Sequence, residues 1–390
     1  MWRGRYEHAL CQSIHAPRML IERADGSVLT NNEGDTFLDL TAGGGANALG
    51  YNNPIIANYA AANTHKLFEA THHFATEEQI GLATAIQSCL TESGYVGASS
   101  RVRFTRSGHE ANRAALEIAL QFKPRGNIVT FLPVHSDSEL YGVVAPVYDG
   151  GANVASERPV SSVSAASTQT RIIAVEPTAK ALENVVDDDT ATIIFSPMDL
   201  RSATGVVDEE IFQRASALCE RFKALLIMDE THIGMGRTGD WFVHAPYVKA
   251  DIITVGRGLG GGVPLGATLL LSRRAKQDSD RLSGLIPAGN PFSFDISMLV
   301  IDEIRKIFGQ INSVGQWLRD ELSECGYEVS GKGLLLGIRT QDAEFVQQQL
   351  QERGIIVHVG AQDRIELSPP LNISIDHLQL FIDHMKGLAN

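Results

Sequence analysis

Four short apolar runs punctuate the middle of the chain: IIAV near residue 172, ATIIF near 191, ALLIMD near 224 and DIITV near 251. None alternates with polar residues, which is the pattern of strands covered on both faces, and helical or turn-rich segments separate them. They predict a mainly parallel sheet flanked by helices, an α/β architecture whose ligands bind beyond the carboxyl ends of the strands. Nearer the amino terminus, residues 20–50 alternate short β-rich pieces with Asn, Gly and Asp turns, as an antiparallel hairpin region does. Helical spacing then takes over in TEEQIGLATAIQSCL, with Thr76 as the N-cap ahead of Glu77 and Glu78. After about residue 290 the pattern becomes one long helix, followed by a short strand, a helix and RIELSPPLNIS. The expectation is a large domain over 46–284 and a smaller α+β domain made of 1–45 together with 285–390. The Ser/Ala/Gly-rich stretch DGGANVASERPVSSVSAASTQT is the best candidate for a long surface connection.

Composition narrows the function. Forty-six acidic against 33 basic residues give a formal charge of -13, which repels a phosphate-rich polymer and argues against nucleic acid as a partner. No apolar run approaches the ~20 residues of a membrane span, and the first residues lack a signal-like apolar core. Cys11, Cys89, Cys219 and Cys325 are far apart, with no CxxC pair; reduced packing residues are expected rather than disulfides or a metal site. A cytoplasmic protein acting on a small molecule is the reading these features support.

Three stretches carry candidate chemistry. In RVRFTRSGHEANRAALEIALQF a strand ends near Thr105, and Ser107 with Glu110 three residues later makes a capping box opening a helix. Its first N–H groups favour a phosphate or carboxylate, although an ordinary capped helix has the same pattern. In ALLIMDETHIGMGRTGDWF, Asp229 emerges at the end of an apolar strand and needs a cationic partner or several donors. A protonated ring nitrogen would serve, and so would a structural arginine such as Arg237; Glu230 and His232 bind substrate or satisfy the loop. In DIITVGRGLGGGVPLGA the strand ends at Val255 and delivers one cation, Arg257, ahead of a glycine cluster.

Together, SGHEANRAALEIA, LLIMDETHIGMGRTG and DIITVGRGLGGGVPLGA resemble the signature segments of class III pyridoxal-phosphate-dependent aminotransferases, with glutamate-1-semialdehyde aminomutase similar in pattern. The resemblance extends through ADGSVLTNNEGDTFLDLTAGGGANALGYNNP, GNP at 289–291 and LSPPLNIS, in family order over nearly the whole chain. It implies a fold-type-I architecture with a seven-stranded type of sheet, and a homodimer. It also implies a cofactor phosphate on Ser107, Gly108 and His109, with the ring nitrogen on Asp229 so that the ring acts as an electron sink.

The family keeps a lysine just after this strand to bond the cofactor aldehyde, and here that position holds Arg257. A guanidinium stays protonated and offers no amine lone pair, so that bond cannot form through Arg257. Lys249 precedes the strand and is expected near its opposite end, about 16 Å away or more. Two phosphate donors differ as well, since the family's threonines fall at His109 and Ile286; Arg257 is able to supply a charged hydrogen bond instead. The acid and the arginine that many members place in the substrate site are exchanged, at Arg201 and Glu366. That exchange is either a swapped salt bridge or a site where Arg201 binds a substrate carboxylate. His135 falls near the family's ring-stacking pair.

Three functions fit. The first is an enzyme that holds pyridoxal or pyridoxamine phosphate (PLP or PMP) non-covalently, with His135 or His232 moving protons. The second is a cofactor-independent reaction in the same cavity, with Arg257 orienting an anionic substrate group. The third is a noncatalytic subunit or scaffold for an active homologue. A substitution introduced into a working aminotransferase would also explain Arg257, but not Ile286 or Glu366.

Overall fold

The computed structural model describes residues 2–11, 17, 19–70, 74–97, 99–131, 158–159, 170–198, 205–277, 289–361 and 363–388. His135, Arg201 and Ile286 lie outside the described residues, as does nearly all of the proposed surface connection at 149–170.

The four apolar runs form adjacent strands of one sheet. In spatial order its strands are Arg101–Thr105, Gly266–Leu270, Ile252–Val255, Leu225–Glu230, Thr190–Phe195, Asn127–Phe131, Arg171–Val175 and a two-residue edge, Arg158–Pro159. The pairings from Ile252–Val255 across to Arg171–Val175 are parallel. Gly266–Leu270 runs antiparallel to both of its neighbours, so seven long strands form a mainly parallel sheet. Ile193, Ile227 and Ile253 are fully buried, each worth about 2 kcal/mol of burial free energy, which is why these runs carry no polar alternation.

Helix Gly108–Phe122 lies against one face of the sheet, burying Ala111, Ala114, Ala115 and Ile118, the apolar stripe its spacing predicts. Helix Glu77–Glu92 opens at Thr76, whose side chain accepts from Gln79 N–H. The long carboxyl-terminal helix runs from Pro291 to Glu324, capped by Asn290.

The amino-terminal hairpins form their own sheet, Ile21–Asp25, Val28–Asn31 and Thr36–Asp39, antiparallel throughout. It is completed by Ile355–Ile356, which pairs in parallel with Leu38 and Asp39. The two ends of the chain therefore share a sheet. A third sheet orders Val329–Lys332, Leu335–Arg339, Arg364–Leu367 and His358–Val359.

The expectation that all four cysteines pack inside needs one correction. Cys89 and Cys219 are buried and Cys325 is half-buried, but Cys11 is exposed, because it follows helix Trp2–Ala9, which buries none of its residues. Among the described residues no helix is long and apolar enough to cross a membrane.

Candidate active site at the carboxyl ends of the strands

Three loops converge where neighbouring strands end. The strand ending at Thr105 turns into helix Gly108–Phe122 through Ser107, whose hydroxyl accepts from Glu110 N–H at 3.2 Å. The Glu110 carboxylate reaches back to Arg106 N–H at 2.9 Å, one residue before the expected partner. The first two helical N–H groups, those of Gly108 and His109, have no acceptor among the described residues. These are the donors that bind anions at a helix start.

Gly108 and Gly256 set how closely the loops approach. A Cβ on Gly256 would stand 2.8 Å from Gly108 Cα, and one on Gly108 would stand 2.8 Å from Thr231 Cβ. Only glycine lets the segment after Val255 lie directly on the helix start and on the loop after Glu230.

Asp229 is buried at the penultimate position of its strand. Its Oδ1 accepts from Thr231 N–H at 3.0 Å and from the Thr231 hydroxyl at 2.6 Å, while Oδ2 accepts from Asn112 Nδ2 at 2.9 Å. Asn112 Oδ1 in turn accepts from Thr254 Oγ1 at 2.5 Å, and Thr254 is the residue paired with Asp229 across the sheet. Burial pushes the Asp229 carboxyl up from the usual aspartate range, against the opposing pull of these donors and of the nearby His109. A buried carboxyl in that condition gains most from a cation on its remaining side.

Arg237 is not that cation. Its guanidinium donates to the carbonyls of Leu334 at 3.4 Å, Gly45 at 3.5 Å and Pro369, tying the loop to both ends of the chain. Burial, followed by the like charge of Arg257, lowers its pKa to about 10. Glu230, the other acid of the loop, turns inward to His244 with Nδ1 at 2.7 Å, both side chains fully buried. Of the two roles expected for it, satisfying the loop is the one observed. His232 follows Thr231 and is half-buried.

Arg257 opens a short 3-10 turn beyond Val255, with φ at +31°, a left-handed value that side-chain-bearing residues seldom adopt. Its Nη1 donates to Gly44 O at 2.5 Å. The guanidinium is exposed and acts electrostatically on both Arg237 and Glu366. Glu366 is half-buried on strand Arg364–Leu367, opposite His358. Burial raises its carboxyl, and His358, Arg257 and Arg237 pull it back.

All nine lysines of the sequence are among the described residues. Lys249 donates to Gly94 O at 3.0 Å, beyond the start of its strand and at the opposite end from Arg257. Lys66 pairs with Asp295 and Glu78, Lys123 with the carbonyls of Asp188 and Phe222, Lys332 with Asp240. Lys306 and Lys386 pair within their own helices, and Lys276 bonds Ser99 O. Lys180 lies on helix Ala179–Val185, and Lys223 precedes the strand that carries Asp229. None of them interacts with Ser107, Asp229 or Arg257.

The residues therefore suit a phosphorylated pyridine. The helix start offers N–H donors to the phosphate, and Asp229 offers a desolvated carboxyl to the ring nitrogen. A primary amine for its aldehyde is not among them. The sequence pointed to Ser107, Gly108, His109, Asp229, His232 and Arg257 around one strand edge. It missed Asn112, Thr231 and Thr254, although a lone Asn on the apolar stripe of a helix was a usable signal.

A mainly parallel sheet with helices on its faces and a polar site at its strand ends is the fold-type-I architecture of pyridoxal-phosphate enzymes. The family model for aminotransferase class-III matches residues 11–388, and the chain belongs to that family. Acetylornithine aminotransferase of Streptomyces coelicolor is 28% identical over 99% of this chain and 94% of its own. The enzyme of that name from Streptomyces clavuligerus is 29% identical over 99% and 95%. Among solved structures, taurine:2-oxoglutarate aminotransferase from Bifidobacterium kashiwanohense has a similar fold, with a TM-score of 0.81 at 18% identity over 100% of this chain and 96% of that one.

Proposed function

We propose that this chain is an aminotransferase-family enzyme that holds pyridoxal or pyridoxamine phosphate without a covalent bond and acts on a small amine or amino acid. The observation that carries this reading is the placement of all nine lysines away from a site whose strand end presents Arg257. The cofactor, when bound, supplies an electron sink that stabilises negative charge at the substrate carbon.

The chain's own residues do the rest. Ser107, Gly108 and His109 hold the phosphate with N–H donors and the helix dipole. Asp229 keeps the ring nitrogen protonated, and Asn112 and Thr231 fix its carboxylate for that purpose. Arg257 supplies the fixed positive charge of the site and holds an anionic group of cofactor or substrate. His232, and His135 with it, are assigned to moving the proton at the substrate carbon that bears the amine. Glu366 and Arg201 are assigned to the substrate end. Ornithine-type amino acids are the first candidates, on the names of the relatives.

The same reading divides the chain into 46–284 and 1–45 with 285–390, supported by the pairing of Ile355 with Leu38. It also makes the protein a homodimer, supported by the exposed apolar residues Leu67, Phe68, Phe74 and Ile80.

Calorimetry with each cofactor form tests the function. Saturable binding of pyridoxamine phosphate at least as tight as that of pyridoxal phosphate is expected, since the amine form needs no lysine. No binding of either form would favour the cofactor-independent reading, in which the exposed Arg257 orients an anionic substrate.

A further inference from the structure

At the opposite end of the sheet from Asp229, a second cavity of about 380 Å³ opens between the loop at Gly94–Val96, helix Glu209–Arg221 and the residues leading into strand Ile252–Val255. Its size falls in the range of small-molecule sites, about 300–1,000 Å³. None of its lining residues belongs to the site above.

The charges in this cavity are unequally engaged. Asp251 is satisfied, because its carboxylate accepts from Leu226 N–H at 2.9 Å and both of its oxygens take Arg274 Nη2 at 3.1 Å. That contact uses only one of the three Arg274 nitrogens, and the other two have no partner among the described residues. Lys249 donates to Gly94 O at 3.0 Å and Ala245 O at 3.5 Å while lying 4.1 Å from the centre of the Tyr95 ring. An ammonium has three protons, so one remains for a ligand. Glu220 lines the same cavity and forms no ion pair among the described residues. Two cations with donors to spare therefore share a small space with two carboxylates, of which only Asp251 is ion-paired among the described residues, beside an apolar wall of Val96, Leu226 and Leu271.

We infer that this cavity is a second ligand site, for a free α-amino acid with a small apolar side chain, its carboxylate on Arg274 and Lys249 and its ammonium on Glu220. A single-charge ligand would leave one side of that arrangement unmatched.

Occupancy is transmitted to the Asp229 loop by a buried chain of hydrogen bonds. Ala250 N–H donates to the Tyr95 hydroxyl at 3.1 Å, and that hydroxyl is hydrogen-bonded to His244 Nε2 at 2.7 Å. On the other side of the ring His244 Nδ1 is hydrogen-bonded to Glu230 Oε1 at 2.7 Å, and Glu230 is the residue after Asp229. Glu230 Oε2 is buried with no partner among the described residues. A ligand that takes hold of Lys249 alters its seat on Tyr95, the first member of that chain.

The test uses the full chain and calorimetry with L-valine, beside isovalerate and isobutylamine, which each keep one of its two charges. Saturable valine binding is expected, about tenfold or more tighter than either analogue, and weakened about tenfold in Glu220→Gln and in Lys249→Gln. Absence of valine binding overturns the site. So does binding that is unchanged in both variants, because the amino acid would then lie at the strand ends near Asp229. Hydrogen exchange reads the second half without any cofactor. Saturating valine is expected to change amide exchange in residues 229–236 about fivefold, and Tyr95→Phe to abolish that change. Unchanged exchange in the wild-type protein overturns the coupling.

Discussion

Asn112 and Asp229 stand 117 positions apart in sequence and meet at 2.9 Å, and the other end of the same amide takes the Thr254 hydroxyl. One helix side chain thereby ties two neighbouring strand ends together and fixes the carboxylate between them. Asn112→Leu removes a donor from a buried carboxyl and leaves the Thr254 hydroxyl without its acceptor. The expected loss is about 1–3 kcal/mol of stability, read by urea denaturation, together with weaker binding of pyridoxamine phosphate.

Asp229 itself is expected to cost stability in the cofactor-free protein. Burial raises its carboxyl pKa in the folded state, so the folded chain holds this proton to higher pH than the unfolded chain, whose value lies near about 3.9. Its contribution is most favourable below that value, declines as pH rises toward the folded value and stays lower above it. Asp229→Asn is expected to flatten this part of the stability profile while weakening cofactor binding by about 2–5 kcal/mol. A variant that binds pyridoxamine phosphate as tightly as wild type would remove Asp229 from the ring-nitrogen role.

Gly256 is held to glycine by contact. A methyl group there meets Gly108 Cα at 2.8 Å and Gly108 N at 3.0 Å, so Gly256→Ala must push the helix start away from the strand end. Overpacking of this kind costs about 1–3 kcal/mol. The phosphate donors move with the helix, so a fall in the affinity of pyridoxamine phosphate is expected beside the drop in Tm.

The anchoring of Arg237 was not legible in the sequence, although the residue itself stood out. Its three carbonyl partners come from Gly45, Leu334 and Pro369, and no local pattern announces a backbone acceptor nearly 200 residues away. Local signals fared better. The apolar runs located the central strands, the spacing of Ser107 and Glu110 located the capped helix start, and the turn-rich residues 20–50 located the hairpins. Glu230 read as a candidate substrate ligand because sequence does not show on which side of a strand end a carboxylate leaves. Its inward turn depends on His244, 14 residues on. Arg237→Leu, which strands these buried carbonyls, is expected to destabilise the protein by about 3 kcal/mol or more, read by thermal and chemical denaturation.

Leu67, Phe68, Phe74 and Ile80 are each more than half exposed, and the proposed homodimer would cover them. Sedimentation velocity is expected to show a dimer for the wild-type protein and a shift toward monomer for Phe68→Asp. A wild-type monomer at micromolar concentration would contradict the dimer.

The central claim is that this member of the family has no lysine with which to capture the cofactor aldehyde. The direct measurement is borohydride treatment with pyridoxal phosphate, followed by intact mass and peptide mapping, on wild type and on Arg257→Lys. No fixed adduct is expected at the site in the wild-type protein, and a single adduct on residue 257 in the variant. A stoichiometric wild-type adduct on one of the nine lysines, lost on competition with pyridoxamine phosphate, would contradict it.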